Sequence, residues 1–207
     1  MCGRYSLFRW SPALSALPGF PASLEPRWNI APGQPVLLVR AAGDGAGREA
    51  LLVRWGLTPP WLRDLSRSPA QARAETLAEQ PMFREALSQR RGILPANGFY
   101  EWRGPRRRPF WMSAADGGLL AMAALWEAYP VSGRVYFSAA VVTVAAGEQR
   151  RPLLLDEAAQ ALWLDPQAPA SMLDTLLAGA GIPLRERLLA GLGNRVGEEG
   201  PQCLTPL

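Results

Sequence analysis

Apolar residues along this chain come in short runs, each closed by proline, glycine or a charged cluster. That pattern predicts many short strands and a few short helices. A first helix is expected over residues 11–17. A loop follows over 28–33, where Pro32 and Gly33 break any regular element. Residues 36–40 and 51–55 read as strands flanking a glycine-rich hairpin over 41–47. Residues 55–61 form a rigid aromatic loop. Met82, Phe83, Ala86 and Leu87 fall at helical spacing and predict a helix over 82–90. In the second half, a strand over 92–96 precedes a segment 99–102 that can pair with 109–112 across a basic turn, 103–108. Strands are expected over 119–125 and 135–144, and helices over 156–164 and 171–177, the first starting near Asp156. There is no repeat and no strict strand–helix–strand rhythm. The reading is α+β: a single domain over 1–207 with a curled, mainly antiparallel sheet and flanking helices.

Composition narrows the chemistry. Apolar residues make up 48% of 207 residues, and no apolar run approaches the roughly 18 needed to cross a membrane. The first residues do not read as a secretory signal, so a cytoplasmic protein is expected, with Cys2 and Cys203 reduced. The chain has no histidine, and its 22 basic residues are all arginine. The usual zinc-ligand set is therefore missing, and no metal or other cofactor is expected. Arginine does not act as an amine nucleophile, so the α-amine is the one amine available for imine chemistry. The net charge of +4 mildly favours an anionic partner.

The start of the chain, Met1-Cys2-Gly3-Arg4, then stands out. Removal of Met1 ahead of a small residue is expected, and it leaves Cys2 with an α-amine and a thiol two carbons apart. The two groups ordinarily titrate near 7.7–8.0 and about 8.5, so both are nucleophilic near neutral pH. Such a 1,2-aminothiol condenses with an aldehyde to an imine and closes a thiazolidine.

Further motifs follow in order: Trp28-Asn29-Ile30-Ala31-Pro32-Gly33, Arg54-Trp55-Gly56-Leu57, Ala72-Arg73-Ala74-Glu75-Thr76, Pro95-Ala96-Asn97-Gly98-Phe99-Tyr100-Glu101-Trp102, Arg150-Arg151-Pro152 and Gly193-Asn194-Arg195. The series resembles the SRAP family (SOS-response-associated peptidase domain) over nearly the whole chain. The resemblance implies a protein that caps abasic sites in single-stranded DNA by a thiazolidine on the N-terminal cysteine. It would act as a monomer, in the cytoplasm and on the nucleoid during DNA damage.

Carried residue by residue, the resemblance implies four catalytic positions: Cys2, Glu101 for proton transfer, Gln71 to orient the N-terminus or sugar, and Glu148. Arg4, Arg73 and Arg150 are candidates for phosphate, since the guanidinium fork matches phosphate oxygens. Pro32 and Trp61 are candidates to wedge or stack against bases. Trp55, Trp102 and Trp126 are expected in the core, and Arg106-Arg107-Arg108 at a solvated hairpin tip. Two departures from the family pattern bear on the chemistry. Gln71 stands where the family usually has Asn, and Glu148 where it usually has a His thought to assist ring opening and reversal. An imidazole titrating near pH 6.5 is thereby replaced by a carboxylate, which implies slow reversal. Two other readings stay open: an N-terminal-nucleophile peptidase or amidase, and a DNA-binding module without chemistry.

Overall fold

The computed structural model describes residues 3–43, 47–179, 181–191 and 197–207. It has two sheets that share a core. The first part of the chain supplies β1 (Tyr5–Leu7), α1 (Pro12–Ser15), β2 (Arg27–Ile30), β3 (Pro35–Ala41), β4 (Arg48–Trp55) and β5 (Gln71–Arg73). There follow α2 (Arg84–Gln89), β6 (Arg91–Ala96), β7 (Gly98–Arg103), β8 (Arg108–Ala114), β9 (Leu120–Val131) and β10 (Arg134–Ala146). The chain ends with β11 (Gln149–Pro152), α3 (Glu157–Leu164), α4 (Ala170–Leu177) and β12 (Leu184–Leu188). The fold is α+β and mainly antiparallel, as the sequence pattern implies.

Strands β10, β4, β3, β6 and β9 form a closed ring, because β9 pairs back onto β10 from Arg134↔Val131 to Val141↔Ala124. Closure leaves these strands few free edges. Beyond the ring, β10 continues and carries β5 in parallel and β11 antiparallel. A second, all-antiparallel sheet runs β12-β8-β7-β1-β2.

The chain crosses from ring to second sheet at one residue, Asn97, between β6 and β7. The buried Asn97 amide oxygen accepts from the backbone N–H groups of Phe8 (2.7 Å) and Arg9 (3.0 Å), and its nitrogen donates to the Arg9 carbonyl. The next residue must be glycine: a Cβ at Gly98 would come within 2.5 Å of the Met112 carbonyl and of Trp111 Nε1. These contacts fix the start of β7, which carries Glu101.

Tyr5, Trp55, Phe99, Met112 and Leu120 fill the space between the sheets. A second cluster, including Leu57, Leu77, Phe83 and Trp163, seals the ring beneath α2, α3 and α4. The Trp163 indole donates to the Gly92 carbonyl at 2.9 Å, which satisfies its one polar atom in the core.

The structure differs from the sequence reading in places. Residues 27–30 form β2 rather than a loop, since β1 supplies a partner and the turn signals of Pro32 and Gly33 act just after it. The helix expected over 82–90 is confined to Arg84–Gln89. Trp55 is fully buried as expected, whereas Trp102 is only partly buried.

Candidate functional site

A cavity of about 680 Å³ opens beside the second sheet, lined by Gly3, Arg4, Gln71, Arg73, Trp102, Arg107 and Gln149 together with Pro69 and Ala70. Among the described residues its charged and amide lining is three guanidinium groups and two amides, with no carboxylate. Such a wall attracts an anion with little to repel it.

Each lining group has a structural reason to be there. In β5, alternation buries Ala72 and turns Gln71 and Arg73 to the other face. Arg73 is exposed, and its guanidinium meets no hydrogen-bond or ion-pair partner among the described residues. Arg4 donates from Nη1 to Oδ1 of the buried Asn29 at 2.7 Å, and its carbonyl accepts from Tyr100 N–H at 3.0 Å. The chain start is thus strapped between β2 and β7. Asn29 and Trp28 are held in turn by Glu199, near the other end of the chain. Its carboxylate accepts from both their backbone N–H groups, at 3.1 and 2.6 Å, and from Arg27 Nε at 2.7 Å. Arg107 reaches the cavity from the β7–β8 turn, where it holds a φ of 47°.

Cys2 lies outside the described residues, as do Asn194 and Arg195. Gly3, one peptide bond after Cys2, is at the cavity wall.

Glu101 is 1% exposed and is not among the residues that line the cavity, although its chain neighbour Trp102 is. Its Oε1 accepts from Arg151 Nε at 2.6 Å. Its Oε2 accepts from Arg103 Nε and Nη2 at 2.8 and 2.6 Å and from Arg151 Nη2 at 3.3 Å. Glu186 of β12 completes the cluster, bonding Arg103 at 2.8 and 3.0 Å and lying 3.6 Å from Arg151. Hydrogen bonding from Arg103 holds the Glu186 carboxyl below its ordinary range, and Glu186 in turn holds the Arg103 guanidinium above its own. Among the described residues both Glu101 oxygens face only donors, so the carboxylate serves here as a hydrogen-bond acceptor from two guanidinium groups.

The remaining candidates are spread more widely. Glu148 is exposed in the β10–β11 turn, and the neighbouring Gln149 lines the cavity instead. Arg150 points to the other face of β11, where Nη2 donates to Glu75 Oε2 and to the Thr143 carbonyl, both at 2.7 Å. Pro32 is exposed in a turn and Trp61 is 57% exposed in its loop, and neither lines this cavity. The structure therefore groups Arg4, Gln71 and Arg73 on one cavity, to which it adds Trp102, Arg107 and Gln149, and it holds Glu101 in a cluster with Arg103, Arg151 and Glu186. Arg107 and Arg151 lie in arginine runs visible in the sequence; nothing in the sequence marks Glu186.

The comparisons with known proteins follow this geometry. The profile of the family described as "SOS response associated peptidase (SRAP)" matches residues 1–185. The chain belongs to the SRAP family. An SRAP relative from Bacillus subtilis (strain 168), "Abasic site processing protein YoqW", is 32% identical over 186 residues, covering 81% of each chain. "Abasic site processing protein YedK" of Escherichia coli (strain K12) is 27% identical over 227 aligned positions and is covered in full, as is this chain. Among solved structures, a protein from Bacteroides thetaiotaomicron matches with a TM-score of 0.87 at 18% identity over all of both chains. One from Bordetella bronchiseptica matches with a TM-score of 0.75 at 25% identity, over 91% of this chain and 99% of that one. The SRAP match ends inside β12, one residue before Glu186, so the acidic end of the Glu101 cluster lies just beyond it.

Cys203, the other thiol of this SRAP chain, is 4% exposed and donates to the Glu198 carbonyl at 3.6 Å. Burial and the nearby Glu199 and Glu198 push its thiol up, so little thiolate exists at neutral pH. Iodoacetamide at pH 7 should therefore spare Cys203 in the folded protein and modify it only after unfolding. Peptide mass mapping reads this directly, and fast labelling of Cys203 in the native state would contradict its inertness.

Proposed function

We propose that this protein binds single-stranded DNA and captures the ring-opened aldehyde of an abasic site through Cys2. The observation that carries the reading is the arginine-lined cavity, with no carboxylate among its described lining residues and with Gly3 and Arg4 on its wall. The relatives named as abasic site processing proteins support the lesion class.

After Met1 is lost, the Cys2 amine adds to the aldehyde carbon and water leaves, giving an imine. The thiol sulfur then adds to the same carbon while its proton passes to nitrogen, closing the thiazolidine. One water is released overall, and no redox partner or metal is consumed. Gln71 orients the sugar or the amine. Glu101 accepts a proton during ring opening and amine addition. Arg4, Arg73 and Arg107 hold phosphate oxygens, whereas Arg150, tied to Glu75, supports the β5 edge and meets phosphate only by releasing that carboxylate. Pro32 and Trp61 offer exposed surfaces to flanking bases. The protein works as a monomer in the cytoplasm.

Intact-mass spectrometry of the protein mixed with an abasic oligonucleotide tests this. The expected product has lost Met1 and has gained the oligonucleotide less one water. An acyl adduct with a peptide substrate and none with DNA would favour the N-terminal-nucleophile peptidase that the family description suggests. Binding without any adduct would leave only a DNA-binding module.

Arg73 gives a second test. Its guanidinium is exposed and meets no partner among the described residues, so Arg73→Ala should leave the melting temperature unchanged while weakening binding to all sequences alike. Phosphate contacts carry no base information. The salt slope for single strands should fall by about 0.7 per lost contact. An unaltered slope would remove Arg73 from the DNA path.

A further inference from the structure

A second cavity, of about 710 Å³, lies between the end of β4 and the outer half of the β9–β10 hairpin. Eight large apolar side chains are classed as exposed among the described residues, and five of them line it. These are Leu52 (46% exposed), Leu65 (54%), Val131 (42%), Val135 (53%) and Tyr136 (54%). Concentrating exposed apolar surface in one place marks a binding site more often than scattering it does. The hairpin that carries three of them is firmly built. It turns at Ser132 and Gly133, both with positive φ (48° and 79°), and β9 and β10 pair without a break along it.

Among the described residues the lining holds one charged residue, Arg54, and no carboxylate. Arg54 is exposed and has no hydrogen-bond or ion-pair partner among the described residues. Its guanidinium lies over two glycines, since a Cβ at Gly56 would meet Nη1 at 2.9 Å and one at Gly33 would meet Nη2 at 4.0 Å. Gly56 thus leaves room for an arginine that meets no partner among the described residues.

The second cavity is also next to the first. Leu57 N–H donates to the Pro69 carbonyl at 2.9 Å, and the Thr58 and Ser68 hydroxyls bond at 2.9 Å. Thr58 and Leu65 line the second cavity, and Pro69 and Ala70 the first. A ridge two chain segments wide separates them. An occupant with apolar faces and negative charge, continuous with one in the first cavity, fits this surface; a strand of unstacked nucleotides has both properties.

We infer that this groove is a second DNA subsite, which takes one or more unstacked bases flanking the lesion against Tyr136 and the aliphatic wall, with Arg54 on the adjoining phosphate. The inference rests on the DNA reading above and adds to it the side on which the strand leaves the candidate site.

Binding of a short oligonucleotide centred on a stable abasic analogue should be compared with the same oligonucleotide extended on one flank or the other. The wild-type protein should bind one of the extended oligonucleotides at least tenfold more tightly than the short one. Arg54→Gln, Val135→Ser and Tyr136→Ser should each bind the short oligonucleotide as wild type does and lose most of that gain. Matched circular-dichroism melts establish that the variants are folded, and three variants at separate positions guard against one local collapse. The proposal is overturned if extension brings no gain in wild type, or if folded variants keep the whole gain. It is equally overturned if the variants leave DNA binding intact and change only self-association or the uptake of an extended peptide, since the groove would then be a protein interface. Failure of the wild-type protein to bind even the short oligonucleotide would instead reject the DNA reading itself, and this subsite with it.

Discussion

The Cys2→Ala protein should give no adduct that survives heating, yet should still yield a DNA conjugate when borohydride is present. The ring needs sulfur, and the imine needs only the α-amine, which alanine retains. Heat-stable product is therefore expected to fall to background, while the borohydride-trapped product stays within a few-fold of wild type. Cys2→Ser should behave in the same way, because a hydroxyl is a far weaker nucleophile than a thiolate. Denaturing gels with and without reductant separate the two species. Wild-type amounts of heat-stable adduct from Cys2→Ala would exclude the thiazolidine. Loss of the reducible conjugate as well would show that the thiol is needed before the amine reacts, and the order of steps proposed above would have to be reversed.

The second large effect is expected at Glu101. The carboxylate is 1% exposed and sits between Arg103 and Arg151, whose side chains are 28% and 30% exposed. Glu101→Gln removes the charge and turns an amide N–H₂ towards groups that can only donate. Breaking a buried ion pair by removing one partner costs about 3–5 kcal/mol. Partial exposure of the two arginines, which water can then solvate, places this case at the low end, about 3 kcal/mol. For a chain of this size that is roughly 6–12 °C in melting temperature. If Glu101 also accepts protons in the reaction, adduct formation at saturating DNA should slow by roughly 10²-fold at a temperature where the variant is folded. The two readouts are independent. An unchanged melting temperature would mean the cluster contributes no net stability. A lower melting temperature with an unchanged rate would make Glu101 purely structural.

Why the carboxylate is so confined could not be read from the sequence. Glu101 is separated from Arg151 by 50 positions, and Arg103 from Glu186 by 83. Only the topology, with β11 on the extended β10 and β12 on β8, brings them together. What the sequence did carry is local. The β7–β8 pairing, Phe99↔Met112 to Trp102↔Pro109, follows from two short runs around a basic turn. The start of α3 follows from Asp156, whose side chain accepts from Ala159 N–H at 2.8 Å. Strands β1, β5 and β12 are three to five residues long and offer too few periods for a pattern to show. Trp102 misled for a related reason. Phe99, Tyr100 and Glu101 are all buried, and the burial of β7 stops at Trp102, which lines the cavity. Glu148 and Gln149 show the same limit from the other side: a motif aligned by its arginines is a poor guide to which neighbour meets the cavity where a turn gives way to a strand.

The Glu199 carboxylate has a consequence for biosynthesis. It holds β2 across more than 170 positions of sequence, and β2 holds Arg4. The support under Arg4 is therefore finished by a residue synthesised long after it. In a nascent chain Arg4 emerges long before the arginine-lined cavity is complete. If Cys2 captures an aldehyde as proposed, capture that depends on the cavity waits until Glu199 is in place, and a chain interrupted before residue 199 would lack that support.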